Sequence, residues 1–357
     1  MRIAYSCAGE GLGHAARLVA LSPYLEERYK VFYFVPSHLH GFIQEKVGFS
    51  PIEDLPYFRF VKEADRVRWL ATAFETVPRL IQFPQEVEKL VRKLKKFRIQ
   101  GVITDYDPYL AWAGKLAGIP VLQLNHPGII ARKVSFHPLS WLPALTSLFL
   151  EGPWTERMHI SFFLGDVGPL FRESLFRYPV RDEGYLLVNL KSSYRAPVLK
   201  VLEKYPGIPY RLFPNKGENF EEALAGCRAV LSSAGHQIIA EALVLSKPIL
   251  VIPQKGQWEQ QLNASMLKKT RKGEVTSLKR LEQDLPQFLS RLEEYRSVNT
   301  LPLGFTLKDG TKDLVERIEA FFSQNCTGTA KGFLKPSQVG KIHKTTPWKS
   351  IYPLPGP

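Results

Sequence analysis

Apolar residues fall along this chain in short, nearly continuous runs separated by stretches of helical periodicity. Ile3–Cys7 is the first run, and it breaks at Ala8-Gly9-Glu10-Gly11-Leu12-Gly13-His14. A helical pattern through Arg17, Leu18, Leu21 and Leu25 follows, and then the apolar run Val31–Val35. The opening therefore reads as strand, glycine-rich turn, helix and strand. Strands with no polar alternation predict a parallel sheet covered on both faces. The pattern returns with a basic helix over Glu86–Phe97, the strand Gly101–Asp105, a helix over Tyr109–Ala117 closed by Gly118, and the strand Pro120–Leu124.

A second series starts near Arg181-Asp182-Glu183-Gly184. It runs through the strands Tyr185–Leu190 and Ala229–Ser233, the helix Gln237–Leu245 and the strand Pro248–Pro253. Two doubly wound, Rossmann-like α/β domains facing each other across a cleft are the economical reading, with ligands at the carboxyl ends of the strands. The boundaries expected are 1–180 for the first domain, 181–322 for the second and 323–357 for a basic tail. A last helix, Asp313–Phe322, is expected to pack back on the body. The tail reads as a loosely docked arm, with a role in binding a partner or membrane as the lesser reading.

Composition narrows the classes. The 357 residues are 45% hydrophobic and 23% charged, which suits a globular chain and excludes a disordered or fibrous one. Cys7, Cys227 and Cys326 lie far apart and never in CxxC spacing, which argues against a disulfide framework or a zinc site and fits a reducing compartment. No secretory signal is read at the start, and Pro138–Leu150 falls short of the ~20 residues a spanning helix needs. A cytoplasmic protein is expected, or one peripheral on the inner face of a membrane. The net charge of +14 favours anionic partners such as nucleotide sugars, anionic headgroups or nucleic acid without choosing among them. No nucleic-acid-binding signature is present, so no specific nucleic acid is expected.

Three features carry chemistry. Gly9, Gly11 and Gly13 bring a backbone close to a ligand at a helix start, and His14 stands at the top of the first strand with a side chain suited to taking a proton from a hydroxyl. Asp105 ends a strand and can orient that imidazole. Asp107, before a proline, is the alternative partner but reads better as a helix cap. The most informative stretch is Ser232-Ser233-Ala234-Gly235-His236-Gln237-Ile238-Ile239-Ala240-Glu241-Ala242-Leu243, followed by Lys247-Pro248 and Glu259-Gln260-Gln261-Leu262-Asn263-Ala264. Small residues opening a helix suit a diphosphate with no metal. Glu241 lies two turns down that helix, where a carboxylate can take both ribose hydroxyls, and Glu259 and Gln260 can meet a sugar. Ser135–Phe149 reads mainly as packing, with an acceptor mouth or membrane contact as the rival.

On these residues the second half resembles the donor domain of GT-B glycosyltransferases, both the MurG type, with its family 28 C-terminal domain, and the UDP-glycosyltransferases. The resemblance spans roughly residues 1–322 and is strongest over 229–264. It implies that Ser233, Ala234, Gly235, His236 and Gln237 line a pyrophosphate, that Glu241 holds the ribose and that Glu259 and Gln260 contact the donor sugar. It implies that the loop with Gly11, Gly13 and His14 faces the acceptor, with Asp105 as the histidine's partner. The reaction implied is inverting transfer from a nucleotide-diphosphate sugar, most simply a UDP-sugar, to a hydroxyl of a lipid or glycan acceptor, with no cofactor and no metal.

Departures from the pattern qualify the substrate. MurG-type enzymes carry GGxGGH in the first loop, whereas Glu10 here puts a carboxylate where an acceptor diphosphate would sit, unless Arg17 answers it. Plant-type donors carry histidine at the place of Ser233 and serine at that of Ile238, so His236 is expected to supply one lost phosphate contact. The string is closer to a separate bacterial or archaeal branch than to either family. Rival readings are a nucleotide-sugar 2-epimerase of the same fold, and a non-catalytic protein binding nucleotide sugars or nucleic acid.

Overall fold

The computed structural model describes residues 1–9, 13–59, 61–63, 66–133, 141–215 and 217–326. The expectations placed on Gly11 and Glu10, on the first part of Ser135–Phe149 and on the tail beyond Cys326 lie outside these residues.

In chain order the first half runs β1 (Arg2–Cys7), α1 (Gly13–Glu26), β2 (Lys30–Val35), α2 (His40–Gln44) and β3 (Ile52–Asp54). A small hairpin follows, β4 (Lys62–Glu63) and β5 (Arg66–Val67), then α3 (Trp69–Lys96), β6 (Gly101–Asp105) and α4 (Pro108–Leu116). β7 (Val121–Asn125), α5 (Trp141–Glu151) and β8 (Glu156–His159) complete it. These strands form a parallel sheet in the order β3-β2-β1-β6-β7-β8. The second half runs β9 (Leu186–Asn189), α6 (Ser192–Leu202), β10 (Tyr210–Phe213), α7 (Phe220–Gly226), β11 (Ala229–Ser233), α8 (His236–Val244) and β12 (Ile249–Ile252). It continues with α9 (Trp258–Thr270), β13 (Gly273–Val275), α10 (Leu281–Ser290) and α11 (Leu292–Arg296), and its parallel sheet is ordered β10-β9-β11-β12-β13. The molecule is thus two Rossmann-like domains with a cleft between them.

The apolar runs end up as strands because both faces are covered: Ile3, Ala4, Tyr5, Val102 and Ile103 are wholly buried, as are Leu187, Val188, Val230 and Leu231. Register decides what meets at the strand ends. Ser6 pairs with Thr104 and Cys7 with Asp105, so the loop after β1 and the end of β6 open at one level.

Two elements depart from the sequence reading. The basic helix expected over Glu86–Phe97 is only the second half of α3, which starts at Trp69 and passes through Pro78 and Pro84. Prolines read as breakers because each removes a backbone donor, yet here the helix continues through both. The exposed side chains Phe74, Val77, Leu80 and Ile81 lie on that unforeseen half. The last helix, α12 (Thr311–Cys326), falls mostly within the stretch 181–322 assigned to the second domain, but it packs on the first. Leu314, Val315, Ile318, Phe321 and Phe322 share a core cluster with Ile3, Tyr5, Leu18 and Leu25. Phe322 lies so close over Gly101 that a β-carbon there would sit 2.4 Å from its ring. Only glycine fits beneath it.

The chain therefore crosses between domains twice, and the two crossings lie side by side. Leu164 N donates to Gly304 O at 2.8 Å, Thr306 N to Phe162 O at 2.9 Å and Gly310 N to Pro169 O at 2.9 Å. All three cysteines are free. Among the described residues no helix is long and apolar enough to cross a membrane.

Candidate active site

His14 is the second residue of α1 and Asp105 the last of β6. The register of β1 against β6 brings them together, with His14 Nδ1 2.7 Å from Asp105 Oδ1. Arg17, one turn further along α1, closes on the same carboxylate from the other side. Its Nε donates to Oδ2 and its Nη2 to Oδ1, both at 2.8 Å, and Nη2 is also 2.8 Å from His14 Nδ1. Asp105 is fully buried, and Arg17 and His14 nearly so. Burial alone would push the Asp105 carboxyl up; the Arg17 cation, and then His14, overcome this and hold it below the usual carboxylate range. Arg17 is thus held by Asp105 through Nε and Nη2.

The next residue, Tyr106, has φ 60°, an uncommon conformation for a non-glycine side chain. It turns the ring to lie parallel to the His14 imidazole, with centroids 6.0 Å apart and planes inclined by 10°. Its hydroxyl donates to Ser147 Oγ at 3.2 Å, tying the site to α5. Asp107 has a different task. Its carboxylate accepts from the backbone N–H groups of Tyr109 and Leu110, both at 3.0 Å, and from Ser6 Oγ at 2.9 Å, so it caps α4 and does not reach His14.

Across the cleft, β11 ends at Ser233 and α8 begins at His236, with Gly235 at the cap position and no side chain capping it. Such an end leaves backbone N–H groups free for an anion. Ala234 is buried and Ser233 and Gly235 are partly exposed. His236 Nε2 accepts from Phe162 N at 3.1 Å, and its ring stacks on His126, the residue after β7, at 3.8 Å between centroids. His126 Nε2 meets Asn263 Oδ1 at 2.8 Å while the Asn263 amide donates to Ala234 O, which makes His126 the donor. The Nδ1 atoms of His126 and His236 are buried with no hydrogen-bond partner among the described residues. Burial, only partly offset by Glu259, lowers His126 to about 4, and burial followed by the proximity of His126 holds His236 well below the ordinary imidazole value.

Glu241 is buried two turns into α8. It is also less free than its expected role suggests, since its Oε1 accepts from Arg172 Nη2 and from Gln237 Nε2, each at 3.0 Å. Arg172 comes from the crossing between domains, so the expected ribose carboxylate already fastens α8 to that crossing. Neither bond uses Oε2. Gln260 turns back on its own loop, accepting from Gln254 N at 2.8 Å and donating to Gln257 Oε1 at 2.9 Å. Glu259, half-buried at the start of α9, lies close enough to the first domain for its charge to be felt by Arg17, Tyr106 and His126. The structure thus gathers His14, Asp105 and Arg17 in one domain, with Glu259 and the α8 start facing them. Gln260 and Glu241 are engaged within their own surroundings. His126 was missed by sequence reading, and only its place directly after an apolar run signalled it. Among the described residues no three His, Cys, Asp or Glu side chains converge as a metal site.

Two parallel-sheet domains, with an imidazole–carboxylate pair in one and an open helix start in the other, give the GT-B architecture of glycosyltransferases. The sequence profile described as "Glycosyl transferase family 1" matches residues 1–140 and 200–293, more than half of the chain, and the chain belongs to that family. No curated protein matches it in sequence. Among solved structures it is similar to the glycosyltransferase of kitacinnamycin, with a TM-score of 0.58 and 16% identity over 89% of this chain and 98% of that one. MurG of Acinetobacter baumannii gives a TM-score of 0.55 and 13% identity over 89% and 99%. UGT2 of Phytolacca americana, complexed with UDP-2-fluoro-glucose and pterostilbene, gives 0.55 and 14% over 91% and 94%. At these identities the likeness is one of fold.

Proposed function

We propose that the protein catalyses inverting, metal-independent transfer of a hexosyl group from a nucleotide-diphosphate sugar, a UDP-sugar first among candidates, to an acceptor hydroxyl. The observation that carries the reading is the His14–Asp105 pair at the start of α1, set opposite the uncapped start of α8. In this scheme Asp105 accepts the Nδ1–H of His14, so Nε2 presents its lone pair to the acceptor. The acceptor oxygen gives its proton to Nε2 and forms a bond to the anomeric carbon as the bond from that carbon to the diphosphate breaks. The leaving electron pair stays on the diphosphate, stabilised by the N–H groups of α8 in place of a cation. Ser233, Ala234, Gly235, His236 and Gln237 line that anion, Glu241 offers Oε2 to the ribose, and Glu259 meets the sugar, with Gln260 holding the loop before it.

The relative bound to UDP-2-fluoro-glucose and pterostilbene supports a uridine donor and a hydroxyl acceptor. The exposed side chains of α3, with Leu145, Leu148 and Phe149 on α5, suit an apolar acceptor such as a lipid, and a peripheral seat on a membrane. A thermal-shift panel of UDP-, dTDP- and GDP-sugars tests the reading, because a specific ligand raises the melting temperature by mass action. One nucleotide sugar is expected to stand out and to be consumed only when an acceptor is added. A panel with no shift, or a new sugar isomer formed without acceptor, would refute transfer.

A further inference from the structure

The His14–Asp105 pair does not stand alone, and its third member changes how it works. Resting on the reading of His14 as the base, we propose that Arg17 is a positioning residue that sets how much of His14 is competent to accept a proton, by sharing the charge of Asp105 and the Nδ1 edge of the imidazole.

The geometry carries this. A carboxylate bonded only to imidazole lends it a whole negative charge. Here both oxygens of Asp105 accept from the Arg17 guanidinium at 2.8 Å, in a fork of the kind only arginine makes. The buried pair is neutral overall, so an imidazolium beside it faces a dipole in place of a charge. Arg17 Nη2 also stands 2.8 Å from His14 Nδ1, while Asp105 Oδ1 stands 2.7 Å from the same atom. That edge is thus offered an acceptor and a donor together. If Nδ1 carries the proton it gives it to Asp105, and Nε2 is free to act as base. If Nδ1 accepts from Arg17, Nε2 carries the proton and cannot. Arginine therefore opposes both protonation of His14 and its working tautomer, and Asp105 favours both.

Among the described residues, the other ionisable groups turned toward this cluster are Tyr5 and Cys7 on β1, Tyr106 after β6, Glu259 on α9, and His126 and His236 at the contact between domains. Of these Glu259 alone brings an opposing negative charge to Arg17.

Arg17→Met and Arg17→Lys in the full chain test the proposal. Two readouts are used: the acid limb of the kcat/KM profile for transfer, and the 15N shifts of the His14 ring nitrogens, assigned by their loss in His14→Gln. In Arg17→Met the acid limb is expected to move up by about one pH unit, as expected when a neighbouring cation is removed. The share of His14 with a protonated Nδ1 is expected to rise. Arg17→Lys, which keeps the charge but loses the fork, is expected to fall between and serves if the methionine variant does not fold. Unmoved limbs and unmoved nitrogen shifts, with only stability falling, overturn the proposal. A wild-type chain that transfers no sugar would sink the reading of the base, while the nitrogen shifts would still decide whether Arg17 governs the tautomer.

Discussion

Asp105 keeps its charge in a fully buried place because donors surround it, and this has two consequences that can be measured. His14→Ala removes the proposed base without unpairing Asp105 from Arg17, so sugar transfer is expected to fall by about 10²–10⁴-fold with the melting temperature little changed. Steady-state assay beside thermal melting checks it. Asp105→Asn instead leaves the Arg17 cation buried beside a neutral amide, at a cost of about 3–5 kcal/mol. The sign of its pH dependence follows from the direction of the shift. A carboxyl held below its unfolded value stabilises the fold above that value, about 4, and the contribution is lost as pH falls through the lower folded value. Denaturant midpoints between pH 3 and 7 are expected to fall less steeply on the acid side for Asp105→Asn than for wild type. Asp105 was legible because it ends an apolar run, and His14 because it follows the glycine-rich loop after another, where a sheet presents its ligands. The fork from Arg17 was not, since in sequence it is one more polar residue on a helix, and only the register of β1 on β6 shows what it faces.

Elements were legible where local pattern decides them and illegible where distant packing does. β1, β2, β6, β9, β11 and β12 follow from their apolar runs. The first half of α3 was lost to Pro78 and Pro84, which break the local rule without breaking the helix. α12 could be read as a helix from its spacing, but its docking partner is nearly three hundred residues away. That packing predicts the effect of Phe322→Ala, which empties the space over Gly101 and is expected to cost the first domain about 3–5 kcal/mol. Guanidinium melts followed by circular dichroism report it, and a loss confined to the second domain would contradict the placement. Asp107→Ala, which strips the cap from α4, is expected to cost about 0.5–2 kcal/mol and Asp107→Asn much less, by the same melts.

Across the whole molecule the domains meet through two neutral imidazoles stacked face to face. Both are held below their ordinary values, so the contact is stabilising above about pH 6.5, the unfolded histidine value. That stabilisation is lost as pH falls through about 4, the folded value of His126, where a charged His126 ring would stand against its stacked neighbour. Small-angle scattering is expected to show the radius of gyration rising between pH 7 and 4. His126→Gln keeps the donor to Asn263 and cannot ionise, so it is expected to blunt that rise. Equal expansion in both proteins would mean the stack does not govern the contact.

The paired crossings have a consequence for movement. Because the chain leaves the first domain and returns to it along a neighbouring path, the second domain is in effect a cassette inserted before the final helix, hung on two pins laid close together. Such a mounting resists twisting and sliding, and leaves swinging about one axis as the easy motion between the lobes.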